Sequence, residues 1–482
     1  MASDLLHTLL TNLWVFFLVV LLFGGSIFVH ELGHFLAARS RGAHVERFSI
    51  GFGPPIFKWR AKDGVEYRVS WFPLGGYVLL PQLADLGAIE GESEADVSKL
   101  PPVGYATKMI VFVAGATFNI LFAFFLACIV WIIGQPTAAS SSTTIAEVVP
   151  TIKDVNGTDV VSPAVKAGLQ PGDVILAVDG EPVTTFGDIV EHLALGSGWN
   201  KEGQRQTVFQ IRRGTETIDV TILPVISGNE KVRMVGFSPV GQVFVGETAP
   251  NSPATKAGFQ PEDQIVAING KSTLTASQLF DAMRKGFGQP MQITVMRQGR
   301  NVVVPVAAGA SVAELGLTGL NSGFTLIHPN PFQQIYDCVV KTFRTLWALI
   351  NPRSDINASH LQGPIGIIDN FVAVSRAGLP LALWFTILVN VNLAVFNLLP
   401  IPVLDGGQML FATIGRLRGR PLPVSFIMTA QSVFLVLLFS MVLYVSVFDV
   451  RRIVRDVKAD RAVESSSTAA PKANSTKPDA AK

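Results

Sequence analysis

Two histidines four residues apart, with a glutamate beside the first, form the run His30-Glu31-Leu32-Gly33-His34. At that spacing both imidazoles share one helical face and can hold a zinc ion. The glutamate is then placed to take a proton from a water that the metal activates. The context sharpens this reading. From Leu13 to Val29 the chain is almost wholly apolar, and continued through Leu32 to Ala38 it exceeds the ~20 residues that cross a bilayer. A soluble helix tolerates a satisfied histidine or a cluster of charges at its end. Two histidines and a glutamate in a membrane helix carry three desolvation penalties at once and need a function.

A zinc site that keeps a position for water needs a third protein ligand. Asn397-Leu-Leu-Pro400-Ile-Pro402-Val-Leu-Asp405-Gly406-Gly407 closes another apolar span and offers one. Its two prolines break the helix, and Gly406-Gly407 permits a tight turn. Asp405 is therefore expected on irregular backbone at membrane depth, a conformation tolerated only inside protein or beside a watery cavity. Taken alone, the segment reads equally as a helix-terminating loop. Together with the histidine pair it supplies the missing ligand.

The elements that must position these groups follow from hydropathy. Besides the first span, apolar helices are expected over Met109–Ile133, Leu381–Leu399 and Phe426–Phe448. The second contains Asn119, which should face protein instead of lipid. The chain has 482 residues, 49% of them hydrophobic, and a net charge of +2, which suits a membrane protein with large polar insertions and gives no electrostatic basis for binding nucleic acid. Two cysteines, Cys128 and Cys338, are too few for a disulfide framework. The first ten residues lack Lys and Arg, so the first helix is expected to be an uncleaved span and not a signal peptide.

Between the first two spans, Gly51-Phe52-Gly53-Pro54-Pro55 reads as a turn and Val65–Val78 as a short β-hairpin broken at Pro73 and Gly75-Gly76; Glu90–Val97 reads as a solvated acidic loop. After a polar linker, Thr137–Thr144, comes an internal repeat. Ser162-Pro-Ala-Val-Lys-Ala-Gly-Leu-Gln-Pro-Gly-Asp-Val-Ile-Leu-Ala-Val-Asp-Gly180 reappears as Ser252-Pro-Ala-Thr-Lys-Ala-Gly-Phe-Gln-Pro-Glu-Asp-Gln-Ile-Val-Ala-Ile-Asn-Gly270. Each copy predicts a short helix stopped at Gly168 or Gly258, a strand, and an Asp-Gly or Asn-Gly turn. Phe332, Ile335, Val339, Phe343, Leu346 and Leu349 then mark either an amphipathic helix that lies on a membrane or covers the repeats, or an ordinary buried helix.

The repeats resemble PDZ domains as bacterial proteases carry them, modules that bind peptides by strand addition. The histidine motif in a first membrane helix, with Asn397-x-x-Pro-x-Pro-x-Leu-Asp-Gly-Gly407 far downstream, resembles the site-2 proteases, the intramembrane zinc metalloproteases. Tandem PDZ domains make the chain similar to the bacterial regulator-of-sigma-E protease subgroup, as do Gly51–Pro54, Phe72–Tyr77 and Gln362–Ile365. Ala116 departs from the pattern, since the family usually has proline there, which puts a kink of the second helix in question.

The resemblance implies a polytopic α-helical membrane protein with four transmembrane helices, a membrane-associated β-hairpin and two inserted tandem PDZ-like α+β domains. Its expected segments are 8–137 (helices one and two with the hairpin), 145–235 and 236–325 (the PDZ pair), 330–352 (the amphipathic helix), 375–452 (helices three and four) and 459–482 (a disordered tail). Zn2+ would be held by His30, His34 and Asp405, with Glu31 as general base and Asn397 binding the substrate backbone. The expected activity is cleavage of single-span membrane proteins, such as an anti-sigma factor, with the PDZ pair gating access and binding peptide C-termini. A non-proteolytic membrane scaffold with a vestigial metal site is the alternative, which an altered Glu31 or Asp405 would favour, and both are intact. A transporter is disfavoured by the lack of a second broken span.

Basic residues set the expected orientation in a bacterial inner membrane. Arg39, Arg41, Arg47, Lys58, Arg60, Lys62 and Arg68 follow the first span, and Arg416, Arg418 and Arg420 separate the last two, so both loops belong inside and the PDZ pair outside. Arg451, Arg452, Arg455 and Lys458 oppose this assignment.

Overall fold

A computed structural model describes residues 2–83, 100–138, 142–228, 231–249, 252–272, 275–285, 289–307, 315, 317–318 and 324–468. The expected acidic loop at Glu90–Val97 and residues 469–482 of the expected tail lie outside them. Two compact units form: Met1–Ala123 with Ala358–Lys482, and Phe124–Asn357.

Four helices are long and apolar enough to cross a membrane, over Leu9–Ser40, Tyr105–Ile133, Leu379–Asn397 and Val424–Lys458. They coincide with the four expected spans. The helices of the first unit are labelled α1 (Ala2–Ser40), α2 (Tyr105–Ile133, which continues into the second unit), α3 (Pro364–Ala377), α4 (Leu379–Asn397), α5 (Asp405–Leu417) and α6 (Val424–Thr468). Leu13, Trp14, Phe16, Phe17 and Leu21 of α1 are exposed, whereas Val15, Leu18, Val19, Leu22 and Ser26 are buried, so one face meets lipid and the other meets protein. Buried polar groups join the helices. Asn390 of α4 donates its amide to Ser26 Oγ (2.8 Å), and Ser26 donates to the Leu22 carbonyl (2.7 Å). Ala116 is buried within α2, which runs unbroken.

Several expectations need correction. The hairpin is longer than Val65–Val78: β1 (Arg47–Arg60) pairs antiparallel with β2 (Glu66–Leu79) and absorbs the glycine–proline run as strand. Gly51 and Gly53 adopt φ of +85° and +89° and let the register shift, while the two prolines sit in a strand paired on one edge only. Phe57, Trp59, Trp71 and Phe72 remain exposed, giving the hairpin an apolar surface. Helix α5 lies where a loop was expected, and α3 where no element was expected. The Gln362-Gly-Pro-Ile365 segment starts α3, where the Gly363 and Gly366 N–H groups donate to the buried Asp449 of α6 at 3.0 and 2.9 Å. Asp449 thus caps a helix from outside it, next to the helix's positive end. Finally, α6 continues to Thr468, past the expected start of the tail at Ala459.

In the second unit the sequence repeat becomes a structural one. The first copy pairs Val174–Val178 with Glu181–Pro182 and with Thr207–Arg213, which pairs Glu216–Ile222; the second pairs Gln264–Ile268 with Lys271–Ser272 and with Met291–Arg297, which pairs Arg300–Val306. Asp179 and Asn269, each at φ +49°, make the expected turns before Gly180 and Gly270. Phe237–Pro239 pairs with Ile145–Val148 in a two-stranded sheet of its own, and Phe237 packs against the first copy's core. A bidentate ion pair recurs as well. Arg213 grips Asp173 and also donates to the Gly168 carbonyl; Arg297 does the same to Asp263 and Gly258.

The Pro331–Ile350 helix of this unit joins the first copy through Lys341–Glu191 (2.9 Å) and Arg344–Glu181 (3.0 Å). Its Phe332, Tyr336, Phe343, Trp347 and Ile350 are exposed on the other side, so it is amphipathic as expected, along a stripe shifted from the one read in the sequence. Beyond it, Asp355 accepts from both Arg205 and the fully buried Arg233.

Burial pushes the Asp173 carboxyl up, but the Arg213 guanidinium and the Gln170 backbone N–H outweigh it and hold the group below the usual carboxylate range. A lowered folded-state value stabilises the fold fully above about pH 4, the ordinary carboxylate value, and the contribution fades as pH falls through the lowered one. Asp173→Ala is expected to cost roughly 2 kcal/mol, between an exposed and a fully buried pair. Hydrogen exchange over Val174–Val178 should show lost protection at pH 7, and a smaller difference from wild type as acid protonates Asp173.

Candidate metal centre

The expected ligands come together although Asp405 is far from the histidines in sequence. The stretch Leu398–Leu404 leaves α4, and its prolines prevent regular helix. The Gln408 amide and the Gly407 N–H tie the stretch back to Pro402 and Leu404. Asp405 does not sit within the irregular stretch, as expected from sequence, but is the first residue of α5. The glycines act by close approach and not by an unusual turn. A Cβ on Gly407 would lie 2.7 Å from Pro402 Cα, and one on Gly406 would strike the Leu398 and Leu399 carbonyls.

Asp405 Oδ2 stands 3.4 Å from the Nε2 of both His30 and His34, and those two nitrogens are 3.1 Å apart. Ligand bonds of ~2.0–2.1 Å at tetrahedral angles separate ligand atoms by about 3.3 Å, so the triangle fits zinc. The protons point the same way. His34 Nδ1 lies 2.8 Å from the Val111 carbonyl, which can only accept, so this nitrogen carries a proton, and in the neutral ring Nε2 is then a bare lone pair. Asp405 Oδ2 is buried without a hydrogen-bond donor among the described residues. If the His30 Nε2 is likewise unprotonated, three acceptors face one another in a buried place and would repel unless a cation lay between them.

Small residues make the room. Gly33 lets α1 and α2 touch: a Cβ there would lie 2.9 Å from the Ala114 carbonyl carbon. Gly115 faces the histidines, and a Cβ on it would collide with the His34 ring and come within 2.7 Å of His30 Cε1. Tyr105 and Thr413 share a hydrogen bond (3.1 Å), and the Arg416 guanidinium lies 4.7 Å over the Tyr105 ring, which secures α5 to α2. Glu31 lies against β2, for a Cβ on Gly76 would be 3.2 Å from its Cγ. The Asn397 amide is 3.4 Å from His30 Nε2. All five expected site residues line one cavity of ≈180 Å³, together with Val78 and Leu80 of the hairpin.

Comparison with known proteins agrees with this geometry. The model of Peptidase family M50 matches residues 17–441. The chain belongs to that family. It is 30% identical over 470 residues to the regulator of sigma E protease of Salmonella typhi, covering 90% of this chain and 99% of the relative. The regulator of sigma-E protease RseP of Escherichia coli is 28% identical over 466 residues, with the same shares. A putative zinc metalloprotease of Pasteurella multocida is 28% identical over 456 residues, covering 85% and 92%. As an M50 peptidase, the chain is a metalloprotease by family.

Sequence reasoning left Gly115, Tyr105 and Val111 out of this M50 site. Val111, Gly115 and Asn119 recur at i, i+4 and i+8, a stripe facing one way from α2, and that spacing was the available signal. Gly115→Ala is expected to leave the four spans folded and to remove most of the bound metal. Metal analysis of detergent-purified protein tests this, and a full complement of zinc in the variant would show that the space is not needed.

Proposed function

We propose that this M50 peptidase is an intramembrane endopeptidase that cuts the membrane segment of single-span proteins, such as an anti-sigma factor, in regulated intramembrane proteolysis. The observation that carries the reading is the convergence of His30, His34 and Asp405 beside Glu31 in a helix of membrane-spanning length. His30, His34 and Asp405 hold zinc, which when bound polarises the scissile carbonyl and makes water a better nucleophile. Glu31 takes the proton of the attacking water and delivers it to the leaving amine.

A helical substrate has its carbonyls occupied, so it must unwind before attack. The end of β2 at Val78, with Leu80 just beyond it, receives the unwound segment as an added strand, and Asn397 donates to its backbone beside the candidate ligands.

We further infer that the two repeats, over 145–235 and 236–325, are PDZ domains outside a bacterial inner membrane. They bind peptide C-termini and exclude substrates with bulky outer portions. The loop charges support this orientation. The basic run Arg451, Arg452, Arg455 and Lys458 opposes it, and the two internal loops, which agree with each other and lie between spans, carry the assignment.

Glu31→Gln keeps the shape of the side chain but cannot take the proton. Cleavage of a single-span substrate should fall about 10²–10⁴-fold with bound zinc unchanged. Near-normal cleavage would assign the base elsewhere, and absence of zinc from the wild type would favour a scaffold. For topology, Lys201→Cys should react with an impermeant thiol reagent added to intact spheroplasts and Arg418→Cys should not. The reverse pattern would overturn the orientation.

A further inference from the structure

Asn119 is fully buried in α2, two turns from Val111 on the same face and one turn from Gly115. Its amide nitrogen is 3.2 Å from His30 Nδ1, while its Oδ1 is buried with no hydrogen-bond partner among the described residues. As drawn, with Nδ2 donating, His30 Nδ1 must accept, and the ring proton then sits on Nε2. That proton would occupy the lone pair directed at His34 and Asp405. The oxygen and nitrogen of a carboxamide exchange places by rotation about the last side-chain bond, and the choice is set by the partners. With the amide turned over, Oδ1 accepts from His30 Nδ1–H and Nε2 is free to bind a cation.

We propose that Asn119 is a positioning residue for the metal site: its carboxamide oxygen accepts the Nδ1 proton of His30 and so keeps Nε2 available as a ligand. The inference rests on the zinc reading of the site. It gives His30 the arrangement that His34 already has, where Nδ1 donates to the Val111 carbonyl. Metal-bound histidines generally donate their second nitrogen to such an acceptor, which holds the tautomer and the ring plane. Both acceptors then come from α2, a helix that provides no ligand itself. Asn119 explains its own burial in this way, since a polar side chain at membrane depth must face a partner.

The test measures zinc affinity by competition with a chromogenic chelator, on full-length protein in detergent, for wild type, Asn119→Leu and Asn119→Asp. The leucine variant keeps the size and removes the acceptor, and its affinity should fall about 10–100-fold. The aspartate variant can only accept, and its affinity should match or exceed wild type. The absorption spectrum of the cobalt-loaded protein should change in the leucine variant. A purely structural asparagine would lower the stability of the metal-free variants without changing the cobalt spectrum, so affinity and spectrum are compared on variants whose metal-free form is folded.

Wild-type affinity in a folded Asn119→Leu would overturn the proposal. A tenfold or greater loss in folded Asn119→Asp would also overturn it, because the side chain would then act as a donor, and this arm stands even if the leucine variant fails to fold. If the wild type binds no zinc at all, the reading of the site itself fails.

Discussion

Three potential ligand atoms held 3.1–3.4 Å apart, in a unit with four helices long and apolar enough to cross a membrane, are the constraint on which the rest of this M50 peptidase depends. With all three as bare acceptors and no cation between them the arrangement would repel itself, and in a low-dielectric setting that repulsion would have little screening. Keeping it requires a frame stiff enough to prevent the side chains from turning away. Helix α1 gives two candidate ligands from adjacent turns and needs no more than its own backbone for their spacing. The third candidate comes from α5, whose position is set by the tight Leu398–Leu404 connection and by the Tyr105–Thr413 and Tyr105–Arg416 contacts with α2. Helix α2 therefore acts as the reference surface: it touches α1 at Gly33, receives His34 at Val111 and holds α5 at Tyr105.

Glycine is used in this frame mainly for proximity. Gly33, Gly115, Gly406 and Gly407 have no unusual backbone angles, and each stands where a methyl group would meet backbone or an imidazole. Helices in a bilayer gain little from burying apolar surface, since lipid is equally apolar, so close packing and hydrogen bonds carry their association. The soluble repeats use other means. There Asp173–Arg213, Asp263–Arg297 and the Asp355 contacts with Arg205 and Arg233 are ion pairs, reachable by water on at least one side in most cases.

What was legible in the sequence follows from which signals are local. His30 and His34 announce themselves because a helix brings i and i+4 together whatever the tertiary structure. The four spans are legible because lipid demands a length and a composition. Asp405 could be paired with the histidines by resemblance to a family and by the cost of an acid at that depth. The hairpin was only half read, because glycine and proline normally signal turns, and here bulges allowed them to stay in strand. Helices α3 and α5 were missed for a related reason: each begins beside prolines and glycines that masked the helix start. Asn119 was seen to need a partner, but which partner depends on how α1 and α2 pack, which no local pattern states.

Hydrolysis inside a membrane joins two demands that conflict, a dry setting for the spans and a wet one for the reaction. Regular helix meets the first by satisfying every backbone group within itself. It cannot meet the second, since a helix presents no free carbonyl or amide to a substrate. Around this cavity the chain departs from helix twice, at β2 and at Leu398–Leu404, and both departures border the ≈180 Å³ space that holds the candidate ligands. Such backbone is tolerated at membrane depth only where it lines a cavity or is covered by protein. On the proposed function, the irregular segments are what a wet site requires. A chain that placed the same three candidate ligands on continuous helices would leave no edge for the unwound substrate that this function calls for.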